Sequence, residues 1–314
     1  MIAYLRTRLL ALVVILLLMS IIVFSFVHLT PGDPVDAMLG TEVDQETKQG
    51  LRHEMGLDRP LLTQYGLWMG RALHGDLGMS IRTHQPVSAI IVEKLPVTLE
   101  LTLAAGIIGL LIALPAGVVA AVRRNSAVDL GAMGVALAGV SIPSFWLGVM
   151  LILLFALQWR LFPSIGYVAF SRDPADALRH LVLPAVTLGL GLAGALTRMI
   201  RSGVLEELGR EYVRTASAKG LGFSAVINRH VLRNALLPAL TVLGVQVSVL
   251  LGGAVITEQI FAWPGVGQLA VQAIQSRDYP VLQGTILVVA VLATLVQLAV
   301  DLGYAAMDPR IRLA

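Results

Sequence analysis

The stretch Arg210-Glu-Tyr-Val-Arg-Thr-Ala-Ser-Ala-Lys-Gly-Leu-Gly222 is polar and basic, yet it lies between two strongly apolar segments of the chain. The polar character continues up to Ala235-Leu-Leu-Pro238, where the next apolar segment begins. Most connections between helices are much shorter than this. The sequence therefore predicts a structured polar insert, residues 201–235, that is held out of the membrane and suited to binding a partner protein.

The insert has the pattern of a short amphipathic helix followed by a turn. Leu205, Leu208, Tyr212 and Ala216 recur at intervals of three and four residues, which predicts a helix with one apolar and one basic face. The glycines of Gly220-Leu-Gly222 permit a sharp reversal of the chain after that helix.

The composition is that of a membrane protein with several spans. The 314 residues are 56% hydrophobic and 14% charged, with a mean hydropathy of +0.80, whereas soluble domains are about 25% charged. The absence of cysteine excludes disulfides and Cys-based metal sites. A net charge of +3, carried in the loops between spans, indicates membrane topology and no nucleic-acid partner.

Six apolar stretches are each close to the roughly 20 residues that a helix needs to cross a bilayer. The first is too long for a signal peptide, and no small-x-small cleavage site follows it, so we expect an uncleaved anchor. The predicted spans are Leu9–Val27, Thr98–Val122, Leu130–Leu157, Leu181–Ile200, Leu236–Ile256 and Val281–Val300.

Lysine and arginine predict the orientation of these spans. With the N-terminus inside, the cytoplasmic segments carry thirteen Lys and Arg residues, against four in the two shorter external loops. Both termini and the 201–235 insert are therefore expected in the cytoplasm. The predicted organisation is an anchor at 1–27, an external region at 28–97, a transmembrane core at 98–304 that includes the 201–235 insert, and a cytoplasmic tail at 305–314.

The external region 28–97 carries apolar residues that suggest short amphipathic helices at the membrane surface or packed on the core. A structured spacer without any partner is the alternative interpretation. The apolar positions are Met55, Leu57, Leu61, Leu62, Tyr65, Leu67 and Trp68.

Proline marks several spans. Leu95-Pro96, Leu183-Pro184 and Leu237-Pro238 predict helix starts, because proline in a first turn loses no hydrogen bond; a remnant of internal repetition is the alternative. Pro143 is expected to kink the third span. Ser141, Pro143 and Ser144 are then candidates for lining a substrate pathway, although such a kink is also compatible with a purely structural role.

The sequence offers no catalytic constellation. It has no Gly-Lys dipeptide, which excludes a Walker A loop, and its six histidines are scattered without metal-ligand spacing. Its ionisable residues avoid the predicted middle of the spans: Glu100 and Asp301 lie near span ends. Ion-coupled carriers usually place acids there, so the energy for any transport is expected to arrive through the polar insert.

The insert resembles the cytoplasmic "EAA" loop of the membrane subunits of ABC-type, binding-protein-dependent importers, although the literal Glu-Ala-Ala is absent. The sequence from Glu211 to Leu221 resembles that of the dipeptide, oligopeptide and nickel permease branch of this family. Further stretches that match this branch are Thr30-Pro-Gly-Asp-Pro34, Phe261-Ala-Trp-Pro-Gly-Val-Gly267 and Met307-Asp-Pro-Arg-Ile-Arg312.

The resemblance implies an all-α polytopic fold with six transmembrane helices, the type I importer core in spans two to six, and a location in a bacterial-type inner membrane. It implies that the first helix of the loop sits in a cleft of an ATPase subunit, with polar contacts from the charged residues, close approach at the alanines and a turn at the glycine. Solvation of a helix face, or membrane topology, is the alternative for the single charges. The implied coupling residues are Arg210, Glu211, Arg214, Thr215, Ala216, Ala218, Lys219, Gly220 and Leu221.

The implied partners are a homologous second permease, two ATP-binding subunits, an external substrate-binding protein and membrane lipid. No cofactor is expected in this chain, since ATP and Mg would be bound by the ATPase subunits.

Phe261 and Trp263 are suited to anchoring at the lipid headgroups, while the resemblance implies that the external loops meet the binding protein. A short surface helix is expected at Gln268–Gln275.

Peptides are the favoured cargo, with nickel or a nickel chelate as the alternative within the family. Two interpretations from other classes remain: an autonomous channel or ion-coupled carrier, and a membrane anchor for a signalling complex. The first predicts transport by this chain alone, and the second predicts no transport.

Overall fold

The computed structural model describes residues 2–29, 44–54 and 58–307. The Thr30–Pro34 motif and residues 308–312 of the last motif lie outside these ranges, as do Met55 and Leu57. Within these ranges, five helices are long and apolar enough to cross a membrane, and a sixth span results if a helix pair bent by 103° is counted as one. The prediction of six spans is therefore compatible with the structure, with the third span broken.

The helices follow the predicted order, with short surface helices between the spans. Two π-helical segments, Ile152–Gln158 and Ile227–Val231, continue α6 and α9 respectively. The bounds are α1 Ile2–Leu29, α2 Gln45–Glu54, α3 Leu61–Leu73, α4 Val87–Val122, α5 Ala127–Ser141, α6 Ser144–Leu151, α7 Pro174–Leu208, α8 Glu211–Ala218, α9 Phe223–Val226, α10 Leu232–Ile260, α11 Val266–Gln275 and α12 Tyr279–Met307.

The Leu-Pro pairs do not mark helix starts, so this prediction is wrong. Pro184 and Pro238 lie inside α7 and α10, and Pro96 lies inside α4, which begins eleven residues before the predicted Thr98. Helix-interior proline is tolerated in membrane spans because neighbouring groups satisfy the freed carbonyl. Prolines that do lie in a first helical turn are Pro174 of α7 and Pro280 of α12. Pro174 follows Asp173, whose carboxylate accepts hydrogen bonds from the backbone amides of residues 175 and 176.

The chain divides into two compact units. The first comprises residues 1–5, 99–263 and 295–314, and the second comprises 6–98 and 264–294. In the first unit, helices approach closely at glycines: a Cβ at Gly194 would lie 2.4 Å from the Ala136 carbonyl oxygen, and one at Gly117 would lie 2.8 Å from the Ile200 side chain. Small residues at such contacts are typical of helices packed in membranes.

In the second unit, α3 packs on α1. The Phe24 ring lies 5.5 Å from the Tyr65 ring and 5.9 Å from the Trp68 ring, between centroids, and the Tyr65 hydroxyl hydrogen-bonds to that of Ser20 at 2.8 Å. Leucines of α3 outside this aromatic contact are exposed, with Leu62 86% accessible. The amphipathic-helix prediction is confirmed for Leu61–Leu73, with the aromatic residues facing inward.

The helix predicted at Gln268–Gln275 is also present, as α11. Its inward residue Ala273 joins Val87, Ile91, Val281 and Leu282 in the apolar core of the second unit. The helix α11 is therefore packed into this unit along one face, and it begins two residues before the predicted position.

Candidate functional site

Helix α8 corresponds to the amphipathic helix predicted in the polar insert. It is shorter than the apolar periodicity from Leu205 to Ala216 predicts, because it begins only at Glu211. Helix α7 ends at Leu208, and Gly209 and Arg210 separate it from α8. The buried residues of α8 are Val213 and Ala216, whereas Tyr212 is partly exposed. The predicted apolar face that runs from Leu205 to Ala216 is therefore wrong, because the chain turns between the two helices and resets the register.

The C-terminal end of α8 is fixed by backbone hydrogen bonds around Gly220. This residue has φ +82°, in the left-handed region. Its amide donates to the Ser217 carbonyl at 3.0 Å, and the Leu221 amide donates to the Ala216 carbonyl at 3.4 Å. This pair of bonds defines a Schellman cap, in which glycine is favoured because it has no Cβ. The predicted reversal is confirmed at Gly220, whereas Gly222 has φ −63° and precedes α9.

The N-terminal end of α8 is held by side chains. Arg210 pairs with Glu206 of α7 at 2.6 Å, and the Tyr212 hydroxyl donates to the Glu207 carboxylate. The Asn234 amide, from the start of α10, donates to the same hydroxyl at 3.2 Å. Burial, and the bond to Glu207, raise the pKa of Tyr212 above its ordinary value.

Sequence reasoning missed this role of Tyr212. The sequence analysis placed Tyr212 on the apolar face of a helix, whereas its hydroxyl connects the end of α7 to the beginning of α10. Acidic Glu207 at i−5 was the only available signal.

The two helices that flank the insert approach closely at its base. A Cβ on Gly203 would lie 2.5 Å from the Ala235 carbonyl oxygen, so only glycine fits there. Nearby on α7, Arg201 binds the buried carboxylate of Asp129 through two nitrogens, at 2.5 and 2.6 Å. Asp129 also accepts from the Asn125 amide at 2.9 Å, in the loop before α5. The insert is thus mounted on a rigid base that includes α5, α7 and α10.

Nearly all predicted coupling residues are on the surface of the chain. Arg214 pairs with Glu211 at 3.0 Å, and both side chains are at least 75% accessible. Ala216 is the exception: it is only 7% accessible and faces this chain's own interior. Among the described residues, Lys219 has no ion pair. The exposed members are Arg210, Glu211, Arg214, Thr215, Ala218, Lys219, Gly220 and Leu221.

The third span is broken at the predicted proline. Helix α5 ends at Ser141, and Pro143, with φ −59° and ψ 132°, caps the start of α6. Extended backbone before and at a proline is expected from its ring geometry. The predicted kink is confirmed as a full break, with 103° between the two helices.

A cavity of about 250 Å³ lies beside this break, within the first unit. Ser144 lines it, whereas Ser141 and Pro143 do not, so the structure places only one of the three predicted pathway residues there. Sequence reasoning missed Gln246, the only amide side chain in the lining. The cavity is lined by Gly139, Val140, Ile142, Ser144, Leu147, Thr187, Leu188, Gly191, Leu192, Gln246, Val249 and Leu250.

The aromatic residues after α10 are buried, which overturns the expectation that they anchor in lipid headgroups. Phe261 and Trp263 are 2% and 1% accessible. The Tyr167 ring meets the Trp263 ring edge-on, with centroids 4.8 Å apart, and the Tyr167 hydroxyl donates to Glu100 at 3.1 Å. Burial, followed by the contact with Glu100, raises the pKa of Tyr167.

Among the described helices, two buried carboxylates were not singled out by the sequence analysis: Asp129, the third residue of α5, and Glu258 of α10. Glu258 is fully buried two residues before the end of α10. No group of three or more His, Cys, Asp or Glu residues that could hold a metal is found in the described part of the chain.

Two family profiles cover most of the sequence. The one described as "binding-protein-dependent transport system inner membrane component" matches residues 113–313, and its N-terminal companion matches residues 1–102. This chain belongs to that family. The permease resemblance inferred from the motifs is thereby confirmed, and the chain is a transport subunit and not an enzyme in its own right.

Curated relatives cover nearly the whole permease. The chain is 44% identical over 317 residues to the dipeptide transport system permease protein DppB of Escherichia coli, covering 93% of this chain and 94% of that protein. It is 42% identical over 338 residues to the DppB protein of Alkalihalophilus pseudofirmus, covering 99% and 100%.

The fold is also found in solved structures. The permease superposes on a chain of the inward-facing MetNI methionine ABC transporter with a TM-score of 0.59 and 23% identity, covering 70% of this chain and 96% of that one. This likeness confirms the predicted all-α, polytopic importer fold. Its family membership makes the permease a multi-pass component of the inner membrane, in a class of ABC importers that operate with binding proteins and ATPases.

Proposed function

We propose that this permease forms one half of a transmembrane pathway for di- and oligopeptides. The observation that carries the proposal is the identity of more than 40% over nearly full length to permeases named for dipeptide transport. An uncharged cavity beside a broken span supports it, since a substrate of variable side chains needs a passage without fixed charge.

Helix α8 couples this pathway to ATP hydrolysis. The helix is short, stands between two helices fixed at their base by Arg201 and Gly203, and presents a mostly polar outer surface. A cleft in an ATPase subunit would contact the exposed residues Glu211, Arg214, Ala218 and Lys219. Because Ala216 faces inward, Ala218 is the small residue available for close approach. A rigid base transmits movement of α8 to α5, α7 and α10 as rigid-body motion.

The complete transporter contains a homologous second permease, two ATP-binding subunits and an external binding protein. ATP and Mg are bound by the ATPase subunits. Both termini and the 201–235 insert are cytoplasmic, and the 28–97 region is external, which the distribution of Lys and Arg supports.

Uptake measurements test the substrate. In the native host, deletion of the gene should abolish uptake of a radiolabelled dipeptide while leaving uptake of radioactive nickel unchanged, and a plasmid copy should restore it. Loss of nickel uptake alone would instead favour the nickel permease. Peptide transport by the purified chain alone in liposomes would favour an autonomous carrier. If neither cargo depends on the gene, the anchor interpretation is favoured.

Cysteine labelling tests the orientation, and the chain is suited to this because it has no native cysteine. A cysteine at Gly222 should resist a membrane-impermeant thiol reagent in intact cells, whereas one at Thr47 should react. Both positions are exposed in the structure. Labelling of the Gly222 variant from outside contradicts the arrangement.

Copurification tests the coupling surface. Glu211→Ala should reduce the amount of ATPase subunits that copurify with a tagged permease. The matched control is Glu93→Ala, an exposed glutamate in the proposed external part of α4. Equal recovery of ATPase from both variants would remove Glu211 from the interface.

A further inference from the structure

The cavity beside the broken span is lined by one amide side chain, that of Gln246. Gln246 lies at the middle of α10, whose 29 residues run from Leu232 to Ile260. Within the described part of the chain, its amide makes no hydrogen bond. Leaving an amide in a membrane span without a hydrogen-bond partner is costly, and polar groups in membrane spans usually have a function.

Two further residues of the lining, Gly139 and Ser144, carry polar groups without a helical partner or with a free rotor. The Gly139 carbonyl has no helical donor at i+4, because that residue is Pro143, which has no N–H. Ser144, the first residue of α6, contributes a hydroxyl. The other hydroxyl in the lining, that of Thr187, already donates to the Leu183 carbonyl at 2.8 Å.

The lining contains no Asp, Glu, Lys, Arg or His residue. It therefore offers neither a counter-ion for a charged terminus nor a ligand set for a metal. The Gln246 amide offers an NH₂ group that donates and a carbonyl oxygen that accepts, which complements the C=O and N–H of a peptide bond. The volume, about 250 Å³, is slightly below the range of complete small-molecule pockets, so it accommodates a segment of a substrate and not a large substrate as a whole.

Glycine on α7 keeps this space open. A Cβ on Gly191 would meet only the Gly139 carbonyl oxygen, at the ordinary contact distance of 3.9 Å. Three residues further along α7, a Cβ on Gly194 would collide with the Ala136 carbonyl. Gly194 is thus required for helix packing, whereas the absence of a side chain at Gly191 leaves room in the cavity.

We propose that Gln246, assisted by Ser144 and the free Gly139 carbonyl, binds the backbone peptide bond of the cargo as it passes the broken span. The inference rests on the proposed peptide function and identifies Gln246 as a specificity-determining residue. Recognition of the backbone, and not of side chains or termini, lets one site serve peptides of different sequence.

The test compares trialanine with an analogue that is methylated on its central peptide nitrogen and therefore lacks that donor. Uptake of each is measured in the native host whose gene is replaced by a plasmid copy. The wild-type ratio of trialanine to analogue uptake includes the preference of the binding protein. Because every variant receives cargo from the same binding protein, dividing the ratio of a variant by the wild-type ratio cancels that preference.

Gln246→Leu should lower this ratio by roughly fivefold, the effect of one hydrogen bond. Gln259→Leu, the same change on an exposed position of the same helix, should leave it unchanged. A ratio that is unchanged in Gln246→Leu overturns the inference and leaves the proposed function intact. If the wild-type gene supports no peptide uptake, the proposed function and this inference both fail.

Filling the cavity provides an independent measurement. Gly191→Leu should abolish uptake of both peptides while the complex still assembles, as judged by copurified subunits. Gly106→Leu is the control, because a Cβ there meets no atom within 4 Å and Gly106 does not line the cavity. If an assembled Gly191→Leu transporter retains the uptake of the control, the cavity faces lipid and the peptide site is overturned.

Discussion

Two buried carboxylates stabilise helix junctions in this permease, and their hydrogen-bond donors differ in charge. In the first unit, Asp129 binds the charged guanidinium of Arg201 and one backbone amide. In the second unit, Asp278 precedes α12 and accepts from the Ser80 hydroxyl at 2.5 Å and from the Ile81 amide at 3.2 Å. Both are less than 5% accessible.

The difference teaches which junction depends on charge. Removing Arg201 leaves a buried carboxylate without its counter-ion, a large cost. Removing one neutral donor from Asp278 leaves the others in place, so the cost is that of a single charge-assisted hydrogen bond. The ionic junction lies at the base of the proposed coupling insert, where movement of α8 reaches the spans, whereas the neutral junction fixes a loop to the start of α12.

Arg201→Leu should have the largest effect on stability. The purified complex should melt roughly 5–10 °C lower, because breaking a buried pair costs far more than losing an exposed one. In the double variant Asp129→Leu with Arg201→Leu, much of the loss should be recovered, since no unpaired charge remains. Equal melting temperatures for the single and double variants would show that the charge of Asp129 is already compensated elsewhere.

Ser80→Ala should lower the melting temperature by roughly 3–6 °C, the effect of one hydrogen bond to a charged group. The hydroxyl of Ser80 also accepts from the Thr83 amide at 3.0 Å, so the same change loosens the turn that follows. Ser276→Ala is the matched control, because its exposed hydroxyl bonds only to carbonyls within one helix turn. A loss for Ser80→Ala as large as that for Arg201→Leu would contradict the comparison.

Gly220→Val tests a junction fixed by backbone alone. The left-handed φ of Gly220 should cost valine roughly 1–2 kcal/mol, or about 2–4 °C. The effect on coupling should be larger: less copurified ATPase and less substrate-stimulated ATP hydrolysis. Gly222→Val is the control, because Gly222 has an ordinary φ and no atom near its Cβ position. Wild-type coupling in both Gly220→Val and Glu211→Ala would contradict the assignment of α8.

The sequence was sufficient for features that depend on local chemistry. Hydropathy located the spans, Pro143 located the break, and Gly220 located the end of α8, because each signal is contained in neighbouring residues. The sequence was insufficient where distant residues meet. Asp129 and Arg201 are 72 residues apart, and the inward position of Trp263 depends on Tyr167 from another loop.

The helical register of α8 and the residues that line the cavity could not be predicted from local sequence patterns either. Because of a two-residue turn between α7 and α8, Tyr212 is exposed and Val213, which the periodicity did not select, is buried. Periodicity does not indicate where one helix stops. Gln246 was not predicted to line the pathway, because only the packing of α5, α6, α7 and α10 creates the space that it faces.

Tyr212→Phe should have the smallest effect, and its pH dependence identifies the contact. The side chain is about one-third exposed, so losing its bond to Glu207 should lower the melting temperature by less than about 2 °C at neutral pH.

Because the folded protein raises the pKa of Tyr212, the neutral phenol is favoured in the folded state. Its stabilisation is fully present below the ordinary tyrosine pKa of about 10 and is lost as the pH rises through the higher folded-state value. The difference between wild type and Tyr212→Phe should therefore shrink as the pH rises above about 10. In a Glu207→Gln background the difference should change, because the partner carboxylate is gone, whereas Glu206→Gln, whose side chain binds Arg210 instead, should preserve it. A difference that is independent of pH and of Glu207 would show that Tyr212 acts through packing alone.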